Sequence, residues 1–413
     1  MIQENPTATA TPPRRTKSTP AMARRLAITM GCMAAYGPFA VDMYLPAFPP
    51  IARELGTSVG RVQLTLASFI VGLAVGQILW GTLSDHVGRI RPLACGCALS
   101  GVVSAVLATT HSIDVMILAR FLMGLGGSAG LAISRAIVRD LFEEREAAKF
   151  YSMMMMIGGI GPIVSPFLGT LLLTQLNWRA IFWTMAIFGA FCVAAVLLLI
   201  PETLPPAARM RGHVGDLFRS YAAILGNGRF LPPAFSVGCT SAILFTYLAN
   251  ASFVFLELYR IPLALFSVLF AANAVGIYIG SQLNRVLLRR FHSGQLLRAG
   301  MGINVCTGVL LIACARTGVG GFPLLYAGLF FCMSSMGLTF PNGTALTMQP
   351  FAGEAGTASA MLGVLQFALG AVAGTLAGLL HNGTLMPMAA QITCFGLAAR
   401  GILRFAPTAA AGD

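Results

Sequence analysis

A polar segment, Gly81-Thr-Leu-Ser-Asp85-His-Val-Gly88-Arg89-Ile-Arg91, joins two apolar runs at residues 61–83 and 93–110. Each run has the length of a helix that crosses roughly 30 Å of hydrocarbon, which takes about 20 residues. Gly88 permits a tight turn, and the arginines are costly to place inside a membrane. The segment therefore predicts a helical hairpin that spans a bilayer and turns in water.

Apolar runs of similar length recur along the whole 413-residue chain. Hydrophobic residues make up 56% of it and charged residues only 10%, whereas an ordinary soluble domain has about 25% charged residues. We therefore predict an all-α membrane protein with twelve transmembrane helices in two six-helix pseudo-repeats. The predicted spans are residues 26–46, 61–83, 93–110, 115–137, 150–174, 180–200, 231–257, 264–287, 296–315, 321–345, 356–380 and 383–403.

These spans divide the chain into two halves. Residues 24–200 hold the first six spans and residues 231–404 hold the second six, and the linker at 201–230 is rich in Pro, Arg and Gly. Residues 1–23 contain too little apolar sequence to bury, so they are predicted to form a disordered cytoplasmic tail. Residues 405–413 are predicted as a second cytoplasmic tail.

An internal repeat supports this division. Gly81-Thr-Leu-Ser-Asp85 ends the second predicted span, and Gly280-Ser-Gln-Leu-Asn284 ends the eighth, about 200 residues later. Arg289 follows the second copy much as Arg89 follows the first. Duplicated halves of this kind are typical of transporters that bind their substrate at the interface of the halves.

The net charge of +13 does not indicate a nucleic-acid partner, because the basic residues lie between the apolar runs. Of 27 Lys and Arg residues, 21 fall on the side of the two termini, five fall on the other side, and Arg120 lies within a span. Basic loops are retained in the cytoplasm. Both termini are therefore predicted to be cytoplasmic, and the lipid bilayer is the predicted surrounding.

Several classes of protein are disfavoured by what the sequence contains. The nine Cys all fall in predicted spans without a C-x-x-C pair, and the five His show no metal-ligand spacing, so no metal or cofactor is expected. A phosphate-binding loop that would drive an ATP-dependent pump is missing, as is a cluster typical of an active site. A membrane-embedded enzyme or a sensor stays as the alternative from another class.

Motifs along the chain narrow the assignment. The segment from Gly81 to Arg91 resembles the signature loop between helices two and three of the major facilitator superfamily. Other motifs are Asp42-Met-Tyr44-Leu-Pro46-Ala-Phe-Pro49, Ser134-Arg135-Ala-Ile-Val-Arg139-Asp140-Leu-Phe142, Trp178-Arg179-Ala-Ile-Phe182, Pro201-Glu202-Thr203-Leu204, Phe340-Pro341-Asn342-Gly-Thr-Ala and Gly356-Thr-Ala-Ser-Ala-Met-Leu-Gly363-Val-Leu-Gln366-Phe. Together these motifs resemble the Bcr/CflA family of drug-resistance transporters over nearly the whole chain after residue 35.

This resemblance implies the major facilitator fold and a function. The expected function is proton-coupled efflux of small amphipathic compounds or antibiotics by alternating access, by a monomer in the bacterial inner membrane. An uptake symporter or a metabolite exporter of the same fold is the nearest alternative.

The signature loop is expected to act as a gate. Its gating residues are Gly81, Asp85, Gly88 and Arg89, in which the glycines allow close packing and Asp85 makes contacts across the cytoplasmic gate in one of two conformations. The alternative is an ordinary basic loop, which explains the arginines but not the spaced Gly-Asp-Gly.

The fifth predicted span carries Gly158-Gly-Ile-Gly161-Pro162-Ile-Val-Ser-Pro166-Phe-Leu-Gly169. It is similar to the motif that marks exporters within the superfamily, and its antiporter-like residues are Gly161, Pro162, Pro166 and Gly169. Pro and Gly bend a helix and thin its packing face. A generic kinked membrane helix is the alternative.

Away from the cytoplasmic span ends, only Asp42 and Arg120 are charged residues well inside predicted spans. A rise of about 1.5 Å per residue puts both in the outer half of the bilayer. Intramembrane charges are typical of functional sites, so we predict that these two residues couple transport to protons, with Asp42 as the carrier. The alternative is that Asp42 ends a helix and Arg120 snorkels to the interface. Met123 replaces the Gln that the family usually has near Arg120.

Side chains that could line the substrate cavity are also predicted, although core packing explains each of them equally well. They are Tyr44, Tyr247, Asn250, Phe340 and Gln366. A further run, Gly370-x-x-x-Gly374-x-x-x-Gly378, is interpreted as a close-packing helix face.

Overall fold

The computed structural model describes residues 20–141, 144–206, 209, 219 and 222–404. Twelve long helices run through these residues, and no strand occurs among them. The helices are α1 Pro20–Asp42, α2 Val59–Val87, α3 Ile90–Thr109, α4 Ile113–Leu141, α5 Glu144–Gln175, α6 Trp178–Leu199, α7 Leu231–Ser252, α8 Leu263–Leu287, α9 Ser293–Thr317, α10 Gly321–Met348, α11 Ala355–Leu379 and α12 Met386–Ile402. The predicted all-α class is confirmed.

Nine of these helices, counted within the described part of the chain, are long and apolar enough to cross a membrane. The other three are α1, α5 and α12: the apolar part of α5 is Gly159–Gln175, and α12 has only 17 residues. Apolar side chains point outward from the bundle, for example Leu198, which is 80% exposed. Such an outer surface is stable against lipid and would be unstable in water.

The first helix differs most from its predicted bounds. It begins at Pro20, inside the range predicted as a tail, and ends at Asp42 rather than at residue 46. Proline suits the first turn of a helix because its missing N–H would be unpaired there. At the other end, Pro46 has no backbone N–H, so it cannot donate to the carbonyl oxygen of Asp42 and the α-helical hydrogen-bond pattern is interrupted. The chain continues as the short helices Leu45–Ala47 and Phe48–Glu54.

Glycines bring the same pair of helices together in each half. A Cβ at Gly72 of α2 would lie 2.1 Å from the carbonyl oxygen of Phe121 in α4. A Cβ at Gly280 of α8 would lie 1.9 Å from the carbonyl oxygen of Ser334 in α10. Both pairs of backbones are in direct contact, which only glycine allows. The same pair of helices is thus in close contact in each half, although Gly81, which the sequence repeat aligns with Gly280, has no described atom within 4 Å of its Cβ position.

The two ends of the bundle differ in character. We call the end that carries Arg89 and Arg289 the basic end, and the end that carries Glu54 and Trp178 the opposite end. Contacts between the halves are made mainly by α2 with α11 and by α5 with α8. These contacts determine which end of the molecule is closed.

The halves are closed together at the opposite end. A Cβ at Gly60 of α2 would lie 2.7 Å from the carbonyl oxygen of Gly378 in α11, and Gly374 packs on Ala67 one turn further in. The predicted close-packing face of α11 is therefore the seam between the halves. Hydrogen bonds also cross the interface near this end. Gln63 donates to Asn250 at 3.4 Å, and Ser267 of α8 donates to the carbonyl oxygen of Pro166 at 3.1 Å. The hydroxyls of Thr170 and Ser267 are hydrogen-bonded at 2.7 Å.

Candidate functional site

A central cavity of about 570 Å³ lies between the two halves. Its walls come from α1, α2, α4 and α5 on one side and from α7, α8, α10 and α11 on the other. Leu73, Phe245, Phe270 and Met333 are among the apolar side chains that make up most of the lining. Its size is that of a pocket for a drug-sized molecule.

The cavity extends from the middle of the bundle toward the basic end. Asp42 lies at its inner part, and Arg135, which is exposed, lies on the side toward the basic end. Beyond Asp42, the seam of Gly60 and Gly378 closes the path to the opposite end. A ligand in the cavity therefore cannot pass through this seam to the opposite end in this conformation.

Of the five side chains predicted to line the cavity, Tyr247 does so. The other four are not in its wall in this conformation. Tyr44 is fully buried and bonds to Thr65 at 2.7 Å. Asn250 accepts the hydrogen bond from Gln63 at the seam. Phe340 and Gln366 are half-buried, Phe340 against the apolar core.

Asp42 is the last residue of α1 and is 5% exposed. It is the one acidic side chain among the described residues that line the cavity. Pro38, one turn earlier, also lines the cavity. The structure thus places Asp42, the predicted proton carrier, in the wall of the cavity.

Arg120 of α4 lies against the end of α1, close to Asp42. The ion pairs in the described part of the chain do not include one between these two residues. Its Nη1 donates to the carbonyl oxygen of Ala40 at 3.0 Å and contacts the Met123 sulfur at 3.4 Å. This carbonyl belongs to the last turn of α1, where a helix has unpaired acceptors and its dipole favours a cation.

The guanidinium of Arg120 is completely buried, so it does not snorkel to an interface. Its carbon lies 4.5 Å from the ring centre of Tyr44 and 4.4 Å from that of Phe69. Its Nε and Nη2 have no hydrogen-bond partner among the described residues. The two aromatic faces and the helix end therefore provide most of its stabilisation.

The predicted gating residues form a network within the first half. Arg89 is 2% exposed and donates to Asp85 at 2.5 Å and to Asp140 at 2.9 Å. Burial would lower the pKa of Arg89, but hydrogen bonds to Asp140 and Asp85 and their charges outweigh it, so that this pKa is raised. The network holds α2 against α4 at the basic end, and the described contacts of Asp85 do not reach the other half.

The two predicted glycines of this loop differ. Gly88 has a φ of 105°, a conformation that favours glycine, and a Cβ there would lie 2.6 Å from a carboxylate oxygen of Glu202. That carboxylate accepts hydrogen bonds from the backbone N–H groups of Arg89 and Ile90 at 2.9 and 3.3 Å. Gly81 has open space around it, so the close-packing role predicted for it is absent in this conformation.

The antiporter-like motif of α5 packs on α1. A Cβ at Gly161 would lie 2.9 Å from the Pro38 Cβ, and one at Gly169 would lie 2.2 Å from the carbonyl oxygen of Met43. Pro162 lines the cavity, and the carbonyl oxygen of Pro166 accepts from Ser267 of the other half. The motif thus connects the helix that ends at Asp42 with the interface between the halves.

At the opposite end, a short helix is anchored by Glu54. Its carboxylate accepts hydrogen bonds from Trp178 at 2.5 Å and from Arg179. Partial burial works to raise the pKa of Glu54, but the hydrogen bonds from Arg179 and Trp178 outweigh it, so that the pKa is lowered.

Sequence reasoning missed Asn273, which lines the cavity and donates to the hydroxyl of Tyr247 at 2.8 Å. Its position in the otherwise apolar stretch Phe270-Ala-Ala-Asn273-Ala-Val could have indicated it, because isolated amides inside spans have specific partners.

Two packed helical halves around a central cavity are an architecture typical of membrane transporters. A family model described as "Major Facilitator Superfamily" matches residues 30–375. The chain belongs to this superfamily. Its fold and family are those of transporters and not of enzymes, and it is a multi-pass membrane protein.

Curated relatives match along most of their length. The "Uncharacterized MFS-type transporter YdgK" of Bacillus subtilis is 36% identical over 88% of this chain and 91% of the relative. The "Bicyclomycin resistance protein homolog" of Haemophilus influenzae is 29% identical over 87% of this chain and 90% of the relative. The "Multidrug resistance protein MdtL" of Shewanella oneidensis is 27% identical over 87% of this chain and 90% of the relative. The predicted relationship to drug-resistance transporters of the superfamily is confirmed.

Solved structures share the fold at low identity. The nucleoside transporter NupG has a TM-score of 0.73 at 12% identity and covers 92% of this chain and 99% of its own. The xylose transporter XylE of E. coli has a TM-score of 0.70 at 13% identity, and the match covers 95% of this chain and 100% of XylE.

Proposed function

We propose that this protein exports small amphipathic compounds, antibiotics among them, in exchange for protons. The observation that carries this proposal is the position of Asp42, a buried carboxylate in the wall of an otherwise largely apolar cavity. A proton-coupled cycle needs a group that binds and releases a proton. Burial disfavours the charged form of a carboxylate, and a substrate in the cavity can compete with its proton.

Alternating access supplies the cycle. The proposed resting state has the cavity open at the basic end, which faces the cytoplasm together with both termini, in the bacterial inner membrane. Separation of the Gly60–Gly378 seam, and closure of the Arg89 end, would expose Asp42 to the other side. Arg120 takes part as a positioning residue because it binds the last turn of α1, and movement of that turn would change its distance from the Asp42 carboxylate.

The relatives named for bicyclomycin and multidrug resistance support export of antibiotics as the substrate class. The motif of α5 supports export over uptake, because it resembles that of exporters and because it packs on α1. An uptake symporter of the same fold would use the same cavity, so the direction of transport has to be measured.

The test uses purified protein in proteoliposomes and inverted membrane vesicles, with a compound chosen from susceptibility profiles of cells that express or lack the protein. We expect wild type to release protons when the compound is added, and inverted vesicles with an acidic interior to accumulate it. Asp42→Asn keeps the size of the side chain but should abolish both signals while the protein still folds. Proton release or gradient-driven transport by this variant would show that another group is the carrier.

A further inference from the structure

A neutral polar pair lies in the apolar wall of the second half. Asn273 of α8 donates from Nδ2 to the Tyr247 hydroxyl of α7 at 2.8 Å, and both side chains line the cavity. Each residue is only 2% exposed. The Oδ1 of Asn273 has no hydrogen-bond partner among the described residues.

Counting donors and acceptors shows what this pair can bind. With Nδ2 donating to Tyr247, the hydroxyl proton of Tyr247 is left as a donor and Oδ1 of Asn273 as an acceptor. If the amide turned over, Nδ2 would become the free donor and the tyrosine oxygen the free acceptor. Either arrangement presents at least one donor and at least one acceptor side by side.

The surroundings narrow the ligand chemistry further. The neighbouring lining side chains Leu244, Phe270 and Met333 are apolar, and the acidic and basic side chains that line the cavity, Asp42 and Arg135, belong to the first half. A carboxylate or phosphate bound at the pair would offer acceptors only and would leave the free acceptor of the pair without a donor. A purely apolar group would leave the acceptor and the donor of the pair unsatisfied, which is costly in a buried site.

We propose that Asn273 and Tyr247 bind a neutral amide or lactam of the transported compound, which offers one N–H donor and one C=O acceptor. The compound's apolar body fills the remaining cavity of about 570 Å³. This assignment rests on the proposed transport function and specifies its substrate. Tyr247 and Asn273 belong to the second half and Asp42 to the first, so such a ligand would contact both halves at once.

The experiment compares binding of two probes to purified full-length protein in detergent, by titration calorimetry. Chloramphenicol carries a secondary amide on a small amphipathic body, and tetraphenylphosphonium is apolar with no hydrogen-bonding group. The variants are Tyr247→Phe, which keeps the ring stacked on Phe270 at 5.6 Å, and Asn273→Leu. The control is Tyr326→Phe, because that hydroxyl donates to the carbonyl oxygen of Leu269, away from the cavity wall.

We expect both variants to bind chloramphenicol about tenfold more weakly, since one buried hydrogen bond is lost. Binding of tetraphenylphosphonium, and both affinities of the control, should stay within about twofold. The assignment would be overturned if the variants lost affinity equally for the two probes or kept their affinity for chloramphenicol. It would also be overturned if the wild-type protein bound only tetraphenylphosphonium or neither probe. Selective loss of chloramphenicol binding without proton-driven export in proteoliposomes would support the pair and refute the transport cycle.

Discussion

The seam between α2 and α11 allows the conformational cycle to be tested with one methyl group. A Cβ at Gly60 would lie 2.7 Å from the carbonyl oxygen of Gly378, and a Cβ at Gly378 would lie 2.8 Å from that of Gly60. Both distances are well inside ordinary carbon–oxygen contact, and the obstructing atoms are backbone atoms that cannot rotate away. Gly60→Ala and Gly378→Ala therefore force the two halves apart at the opposite end.

The size of the effect follows from the contact. Overpacking a tight interface by one methyl group costs about 1–3 kcal/mol. In the proposed cycle the halves touch here only while the opposite end is closed, so this cost falls on the closed conformation and not on the open one. The ratio of closed to open protein should therefore fall by a factor of about 5 to 150.

Hydrogen–deuterium exchange of the purified protein measures this shift. We expect faster exchange in peptides covering residues 59–70 and 371–381 of either variant, together with slower transport. Gly401→Ala is the matched control, because no atom of the described residues lies within 4 Å of a Cβ at this position of α12. If both seam variants showed wild-type exchange rates at the opposite end and normal transport, the view that this seam opens during the cycle would be refuted.

Three further predictions concern other parts of the structure. Asp85→Asn should reduce transport while expression and substrate binding are retained, because Arg89 keeps Asp140 but loses its other carboxylate; normal turnover would exclude a gating role. Gly169→Ala should impair transport and lower thermal stability by about 1–3 kcal/mol through its contact with α1, whereas Gly159→Ala, on the same helix with open space, should be neutral in both measurements. Glu54→Gln should lower thermal stability at pH 7 by about 1 kcal/mol or less, since the site is partly exposed. The lowered pKa of Glu54 means that its stabilisation is present above its unfolded pKa of about 4.3 and is lost as the pH falls through the folded value. The gap to wild type in thermal unfolding should therefore shrink toward pH 3, and a gap that does not change with pH would count against this ion pair.

Helix bounds in this protein follow closely from the sequence. Residues 93–110 were predicted and Ile90–Thr109 is observed, and residues 264–287 correspond to Leu263–Leu287. The agreement has a physical cause: in lipid, each segment must satisfy its own backbone groups, so an apolar run of sufficient length becomes a helix wherever it packs. The repeat around Asp85 and Asn284 was likewise readable, because both segments place a Gly four residues before an Asp or Asn.

The sequence also singled out Asp42 and Arg120, because charges within apolar runs are conspicuous without any knowledge of packing. It could not show that Arg120 would bind the carbonyl of Ala40 and lie between two aromatic rings instead of pairing with the carboxylate. Tertiary structure also decided which aromatic side chain faces the cavity: Tyr247 does, while Tyr44 turns toward Thr65. An apolar run is hydrophobic on all sides, so its composition does not reveal how the helix is rotated about its axis. That rotation is determined by close packing against neighbouring helices, such as Gly72 on Phe121, and it brought Asn273 into the cavity wall.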